Sequence, residues 1–145
     1  LDSSKTAIGW ARDNAAASGL SAKPIRWILD DARKFVEREI KRGRRYDGII
    51  MDPPAFGHGP EGEVWKIEED FPKLLEVCRE VMSDKPLFFL INGYASGYSA
   101  LAYKNNLLGV MKDHEGVIEV GELTIAESQS ERLLPCGIFA RWSAK

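Results

Sequence analysis

Hydrophobic residues recur every three to four positions in four segments of the chain, which predicts four amphipathic helices. The first begins after a capping serine, Ser3 or Ser4, and ends at Gly19, a residue suited to the left-handed conformation of a helix end. Each helix has one apolar face that must be buried against other elements. The three later helices are predicted over 32–42, 71–82 and 99–111.

Short apolar runs bounded by glycine, proline or polar residues separate these helices and predict strands. The run over 46–51 ends at Asp52, because Pro53 and Pro54 lack the N–H groups that a strand ladder requires. A glycine-rich loop is expected to follow. A polar turn separates the last two runs, which predicts an antiparallel hairpin. The predicted strands cover 25–29, 46–51, 87–91, 117–125 and 133–142.

This alternation of strands and helices predicts an α/β fold with a mainly parallel sheet, covered by helices and closed by the antiparallel hairpin. Ligands of such sheets bind at the carboxyl ends of the strands. Acidic residues stand at three such ends, namely Asp2, the pair Asp30–Asp31, and Asp52. We therefore expect Asp2, Asp31 and Asp52 to lie along one rim of the sheet.

The composition fits one globular domain over residues 1–145, with 44% hydrophobic residues and a net charge of -2. This charge excludes the overall basic field of many nucleic-acid-binding proteins. The two cysteines, Cys78 and Cys136, are too far apart for a paired metal motif and suggest reduced thiols in the cytoplasm. No run is long enough to span a membrane, and no export signal is expected at the start. The basic run Lys41, Arg42, Arg44 and Arg45 is interpreted as a solvated helix end.

Four segments in this order resemble the class I S-adenosylmethionine-dependent methyltransferases, and especially the bacterial large-subunit ribosomal RNA methyltransferase group. They are LDSSKTAIGWARDNAAASGL, ILDDARKF, YDGIIMDPPAFGHGPEGEVWK and LLPCGIFARW. The resemblance implies a Rossmann-like sheet with strand order 3-2-1-4-5-7-6. Leu1 and Asp2 match the end of its second strand. The resemblance thus implies that residues 1–145 are the C-terminal major part of one catalytic domain, with the first strand and glycine-rich loop expected upstream.

The resemblance also implies S-adenosylmethionine as cofactor. In this family the acidic residue at the position of Asp2, with Ser3 beside it, binds the ribose hydroxyls. Asp31 matches the residue that binds the adenine amino group, and the Ala32 backbone N–H matches the donor to the adenine ring. Helix capping is the alternative role for Asp2, and Asp31 can cap a helix while binding adenine.

Asp52, Pro53, Pro54 and Phe56 resemble the DPPY/F-type motif of enzymes that methylate nucleic-acid bases. Two prolines stiffen the turn and aim the carboxylate at a substrate nitrogen, while the aromatic ring stacks on the base. In the family the aspartate also lies beside the cofactor. The alternative is that the turn only ends its strand. The cofactor brings an activated methyl group, so no metal is expected, and His58 and His114 lack companions at metal-ligand spacing.

A thiolate mechanism is disfavoured because no cysteine follows the strand over 87–91, and Cys78 and Cys136 are expected in the core. The favoured function is methyl transfer to a nitrogen of a base in ribosomal RNA. Trp65 can stack on a base or anchor its loop, and Lys66 can pair with a phosphate. A nucleotide-dependent oxidoreductase and an inactive fragment or binding module are the competing functions. The sequence leaves the oligomeric state open.

Overall fold

The computed structural model describes residues 1–59, 62–94 and 97–145, in which helices and strands are combined in one α/β arrangement. The four predicted helices are present, each within a few residues of its predicted bounds. The elements are α1 Lys5–Ala17, α2 Ala32–Lys41, β1 Gly48–Met51, β2 Phe56–His58, β3 Val64–Lys66, α3 Ile67–Glu80, β4 Phe88–Gly93, α4 Ala100–Val110, β5 Gly116–Ala126 and β6 Leu133–Ala144.

The larger sheet has four strands in the order β1-β4-β6-β5. Strands β1 and β4 run parallel, whereas β6 is antiparallel to both β4 and β5, so the sheet is mixed. The α/β class and the closing antiparallel hairpin are confirmed. The order also corresponds to the 4-5-7-6 part of the family arrangement.

The structure does not form the strand predicted over 25–29. In the described chain, Leu29 forms a single parallel bridge with Asp2, and the rest of the segment has no strand partner. The backbone N–H of Asp2 donates to the Ile28 carbonyl at 3.1 Å, and Asp30 N–H donates to the Asp2 carbonyl at 3.0 Å. Within the described residues the segment makes no ladder with β1, and Ile50 of β1 remains 66% exposed.

Short antiparallel strands form at both ends of the predicted glycine-rich loop, whose residues 60 and 61 lie outside the described residues. Strands β2 and β3 pair Phe56 with Lys66 and His58 with Val64. Helix α3 then begins at Ile67, four residues before its predicted start. Its first turn carries Glu68, Glu69 and Asp70, which suit the positive end of a helix dipole.

Helices α3 and α4 cover the face of the sheet on which the central core lies. Phe71 and Leu74 of α3 are buried against it, as are Tyr103 and Leu107 of α4. The tyrosine and phenylalanine rings, with centroids 5.7 Å apart, join the two helices. Among the residues that the structure describes, no helix is long and apolar enough to cross a membrane.

Helix α2 is fixed to the start of β1 by one buried carboxylate. Glu39, 3% exposed, accepts hydrogen bonds from the Tyr46 hydroxyl and from Arg42. These two donors hold the pKa of Glu39 below its usual value. The basic run therefore lies at the amino end of β1, where Arg42 forms an ion pair and the remaining cations are exposed.

Candidate active site

The first group of predicted site residues gathers where Asp2 runs beside the segment over 28–30. Besides its backbone bonds there, Asp2 accepts the Ser4 N–H with Oδ1 at 2.7 Å. Ser4, and not Asp2, is the N-cap of α1, since its hydroxyl accepts from Ala7 N–H at 3.2 Å. The carboxylate of Asp2 is exposed, and Oδ2 makes no hydrogen bond in the described chain. Ser3 is exposed beside it.

Asp31 caps helix α2, as the alternative role predicted. Its Oδ1 accepts the Lys34 backbone N–H at 2.8 Å. Ala32, the first residue of the helix, is exposed. The neighbouring Asp30 accepts the Asp31 N–H and forms an ion pair with Arg38. The backbone bond from Asp30 N–H to the Asp2 carbonyl brings the start of the chain next to the residue before Asp31.

Asp52 follows β1 directly and stands beside β4, since Met51 pairs with Ile91 in the parallel ladder. The Asn92 side chain lies close enough to the Asp52 carboxylate to affect its pKa. Partial loss of solvent raises the pKa of Asp52, and the neighbouring Asn92 side chain offsets part of that rise. Pro53 is buried whereas Pro54 is exposed. One proline of the turn therefore packs inside the protein, and the other contacts solvent.

Trp65 ties the β2–β3 hairpin to this turn. Its indole N–H donates to the Pro54 carbonyl at 2.6 Å, and Ile67 N–H donates to the Ala55 carbonyl at 3.1 Å. Its ring packs against the core. The structure thus supports the anchoring role of Trp65, and Lys66 pairs with Glu69 rather than standing ready for a phosphate.

Phe56 and His58 project from the same hairpin. The Phe56 side chain is 57% exposed, and its ring meets the imidazole of His58 edge-on at 5.1 Å. An ion pair between Lys34 and Glu63 joins the first turn of α2 to this hairpin at 2.6 Å. The two groups of predicted residues are therefore connected through side chains, although their placement on a single rim stays a prediction.

Three residues near Asp52 were missed by the sequence analysis: Asn92, Gly93 and Tyr103. The first two end strand β4, so the rule that ligands bind at the carboxyl ends of strands was the signal available for them. Tyr103 lies in α4, and only tertiary packing brings its hydroxyl to Gly93.

Asp52, Gly93 and Tyr103 form a corner at the end of β4, and a shallow cleft of about 220 Å³ opens next to it. Its floor contains a β-bulge: Leu123 pairs with Gly137 and Thr124 with Pro135, which leaves Cys136 unpaired. Gly137 has a φ of 147°, a conformation that only glycine adopts readily. The cleft is lined by Tyr94, Tyr98, Glu122, Pro135, Gly137 and Ile138.

The prediction of two core cysteines is half correct. Cys78 is buried in α3, and burial raises the pKa of its thiol to about 12. Cys136 is exposed, which corrects the prediction, because it lies in the first part of β6, where the paired residues Leu133 and Leu134 are exposed as well. Its sulfur contacts its own chain, at 3.4 Å from the Leu134 carbonyl oxygen.

We predict that replacing Cys78 and Cys136 together with alanine or serine leaves the rate of methyl transfer by the intact protein largely unchanged. Cys78 is protonated and buried, and Cys136 lies on β6 instead of after Asp52 or β4. The measurement is the initial rate of transfer from labelled S-adenosylmethionine. The single Cys136 variant is the informative control, because a large rate loss with folding intact would identify a thiolate nucleophile.

Within residues 1–59, 62–94 and 97–145, no group of three or more histidine, cysteine or acidic side chains has an arrangement that could hold a metal ion.

Comparison with solved structures places the chain among methyltransferase folds. A S-adenosylmethionine-dependent methyltransferase from Agrobacterium tumefaciens matches 99% of the chain with 40% identity and a TM-score of 0.89, and the match spans 47% of that protein. A protein described as a methyltransferase and solved with SAH matches 96% of the chain at a TM-score of 0.71. Its 18% identity supports a common fold, and the match spans 37% of its length.

Sequence comparison gives relatives that modify ribosomal RNA. The large-subunit methyltransferase K of Neisseria meningitidis is 25% identical over 97 residues, or 66% of this chain and 27% of that protein. The K/L enzyme of Marinobacter nauticus is 31% identical over 97 residues, or 65% of this chain and 13% of that protein. The chain thus spans well under two thirds of the length of these relatives. No protein-family model matches it.

Proposed function

Because this chain belongs to the class I S-adenosylmethionine-dependent methyltransferases, we propose that its protein methylates a base nitrogen in large-subunit ribosomal RNA. The observation that carries the proposal is the stiff turn at Asp52, whose carboxylate has a raised pKa and which leads directly into the strand that carries the exposed ring of Phe56. The ribosomal substrate rests on the relatives and implies a cytoplasmic enzyme.

The residues around Asp2 and Asp31 fit the polar parts of S-adenosylmethionine. Asp2 has one carboxylate oxygen without a hydrogen bond in the described chain, and a carboxylate can accept from both hydroxyls of a ribose. Asp31 and the backbone N–H of Ala32 lie at the exposed start of α2, where they can bind the adenine edge. We place Ser3 beside the ribose. When bound, this cofactor supplies an activated methyl group.

At the methyl acceptor, the protein orients the acceptor nitrogen and supplies a negative charge. Asp52 accepts a hydrogen bond from the acceptor nitrogen and aligns its lone pair, and the raised pKa strengthens this carboxylate as a base. Pro53 and Pro54 restrict the turn that carries it. Phe56 and Tyr94, which is 82% exposed, offer ring faces on which a base can stack. In this proposal the acceptor base stacks on one or both of these rings while Asp52 binds its nitrogen.

Calorimetry distinguishes this proposal from its competitors. We expect the intact protein to bind S-adenosylhomocysteine and to show no saturable heat with NAD. Labelled methyl transfer to unmodified large-subunit ribosomal RNA, transcribed in vitro, then tests the acceptor. Binding of NAD alone would favour an oxidoreductase, and binding of neither ligand would favour an inactive protein.

A further inference from the structure

The hydroxyl of Tyr103 is buried without a partner. The side chain is 0% exposed, and within the described residues its oxygen makes no hydrogen bond. A buried donor without an acceptor costs free energy, and phenylalanine would fill the same space without that cost. The hydroxyl is therefore unexplained by packing alone.

Gly93 locates this hydroxyl relative to Asp52. A Cβ atom added at Gly93 would lie 2.5 Å from the Tyr103 oxygen and 3.8 Å from Oδ1 of Asp52. The phenol and the carboxylate thus flank the same glycine, at the end of β4. Glycine at this position leaves the space that the hydroxyl occupies.

The ring that carries the hydroxyl is held on several sides. Its centroid lies 5.7 Å from that of Phe71 and 5.5 Å from that of Tyr98. Burial raises the pKa of Tyr103, with smaller contributions from Tyr98 and Asp52, so the phenol stays protonated and remains a donor. The oxygen is a fixed donor at the corner where the acceptor is proposed to bind.

We propose that Tyr103 is a positioning residue that donates a hydrogen bond to the Asp52 carboxylate in the complex with the acceptor. The hydroxyl then holds the carboxylate at the end of β4, which fixes the orientation in which Asp52 meets the acceptor nitrogen. The inference rests on the proposed methyl transfer. It assigns a catalytic benefit to a group that is unfavourable for stability.

The test is Tyr103→Phe in the intact protein, assayed on unmodified large-subunit ribosomal RNA. We expect kcat to fall about 10-fold, on the scale of one lost hydrogen bond to a charged group. The KM for S-adenosylmethionine and the Kd for S-adenosylhomocysteine should stay unchanged. The Tm should stay equal or rise, because an unpaired hydroxyl is removed.

Tyr46→Phe is the matched control at the opposite end of the sheet. It removes the hydroxyl that bonds to Glu39, so its Tm should fall while kcat stays unchanged. The two tyrosine variants should therefore show opposite patterns. A Tyr103→Phe enzyme with wild-type kcat would overturn the inference, whereas a wild-type protein without methyl transfer would overturn the proposed function instead.

Gly93→Ala probes the same corner from the backbone. Its methyl group would collide with the phenol oxygen, so both Tm and kcat should fall. Adding Tyr103→Phe removes the colliding atom, and we expect the double variant to recover Tm but not kcat. Recovery of both would contradict the inference, because the hydroxyl would then have served no purpose in transfer.

Discussion

Replacing Asp52 with alanine is expected to lower the rate of methyl transfer by roughly 10²-fold or more, while cofactor affinity changes little. The carboxylate is exposed directly after β1, and in the proposed reaction it orients the acceptor nitrogen. The cofactor contacts in this proposal belong to Asp2 and Asp31. The measurements are single-turnover transfer to ribosomal RNA and calorimetry with S-adenosylhomocysteine.

Asp47→Ala is the control for this variant, because Asp47 is an exposed aspartate that precedes the same strand at its other end. Its rate should match that of the wild type. If Asp52→Ala abolished cofactor binding while turnover at saturating cofactor survived, the assigned roles would be wrong. The turn would then be only a structural stop after β1.

The second large effect is expected for Asp2→Ala, which should weaken cofactor binding by about 1.5–3 kcal/mol, the scale of hydrogen bonds to a charged group. That range corresponds to roughly a 10- to 150-fold rise in Kd. The rate at saturating cofactor should remain close to wild type. Calorimetric titration with S-adenosylhomocysteine gives the affinity, and steady-state assays give the rate.

Asp2 also accepts the Ser4 N–H, so a loss of helix α1 must be separated from a loss of ligand contacts. Far-ultraviolet circular dichroism provides that check, since the cap of α1 is Ser4 itself and should persist. Asp13→Ala, on the exposed side of the same helix, is the matched control. Unchanged affinity in Asp2→Ala would remove this residue from the cofactor site.

The helices were predictable because their signals are local. Ser4, Asp31 and Ser99 each cap a helix in the structure, and each precedes a periodic apolar pattern in the sequence. The strand prediction over 25–29 failed for a non-local reason. An apolar run becomes a ladder only where a neighbour lies along it, and here the described chain supplies only Asp2.

Candidate site residues divide in the same way. Asp31 and Asp52 follow apolar runs that the pattern already marked and Asp2 was assigned from the family resemblance, whereas Tyr103 reaches Gly93 only through the packing of α4 on the sheet. Strands β2 and β3 have three residues each, too short for an alternating pattern to be recognised. Cys136 lies in a part of β6 that is exposed throughout, which composition cannot indicate.

The bond between the Trp65 indole and the Pro54 carbonyl has a practical consequence for spectroscopy. It places a fluorophore directly on the turn that carries Asp52, so tryptophan emission should change when a ligand alters that turn. The sequence holds three other tryptophans, of which Trp10 is 68% exposed and Trp142 is 3% exposed. Subtracting the spectrum of a Trp65→Phe variant would isolate the signal and make the corner observable in real time without an added label.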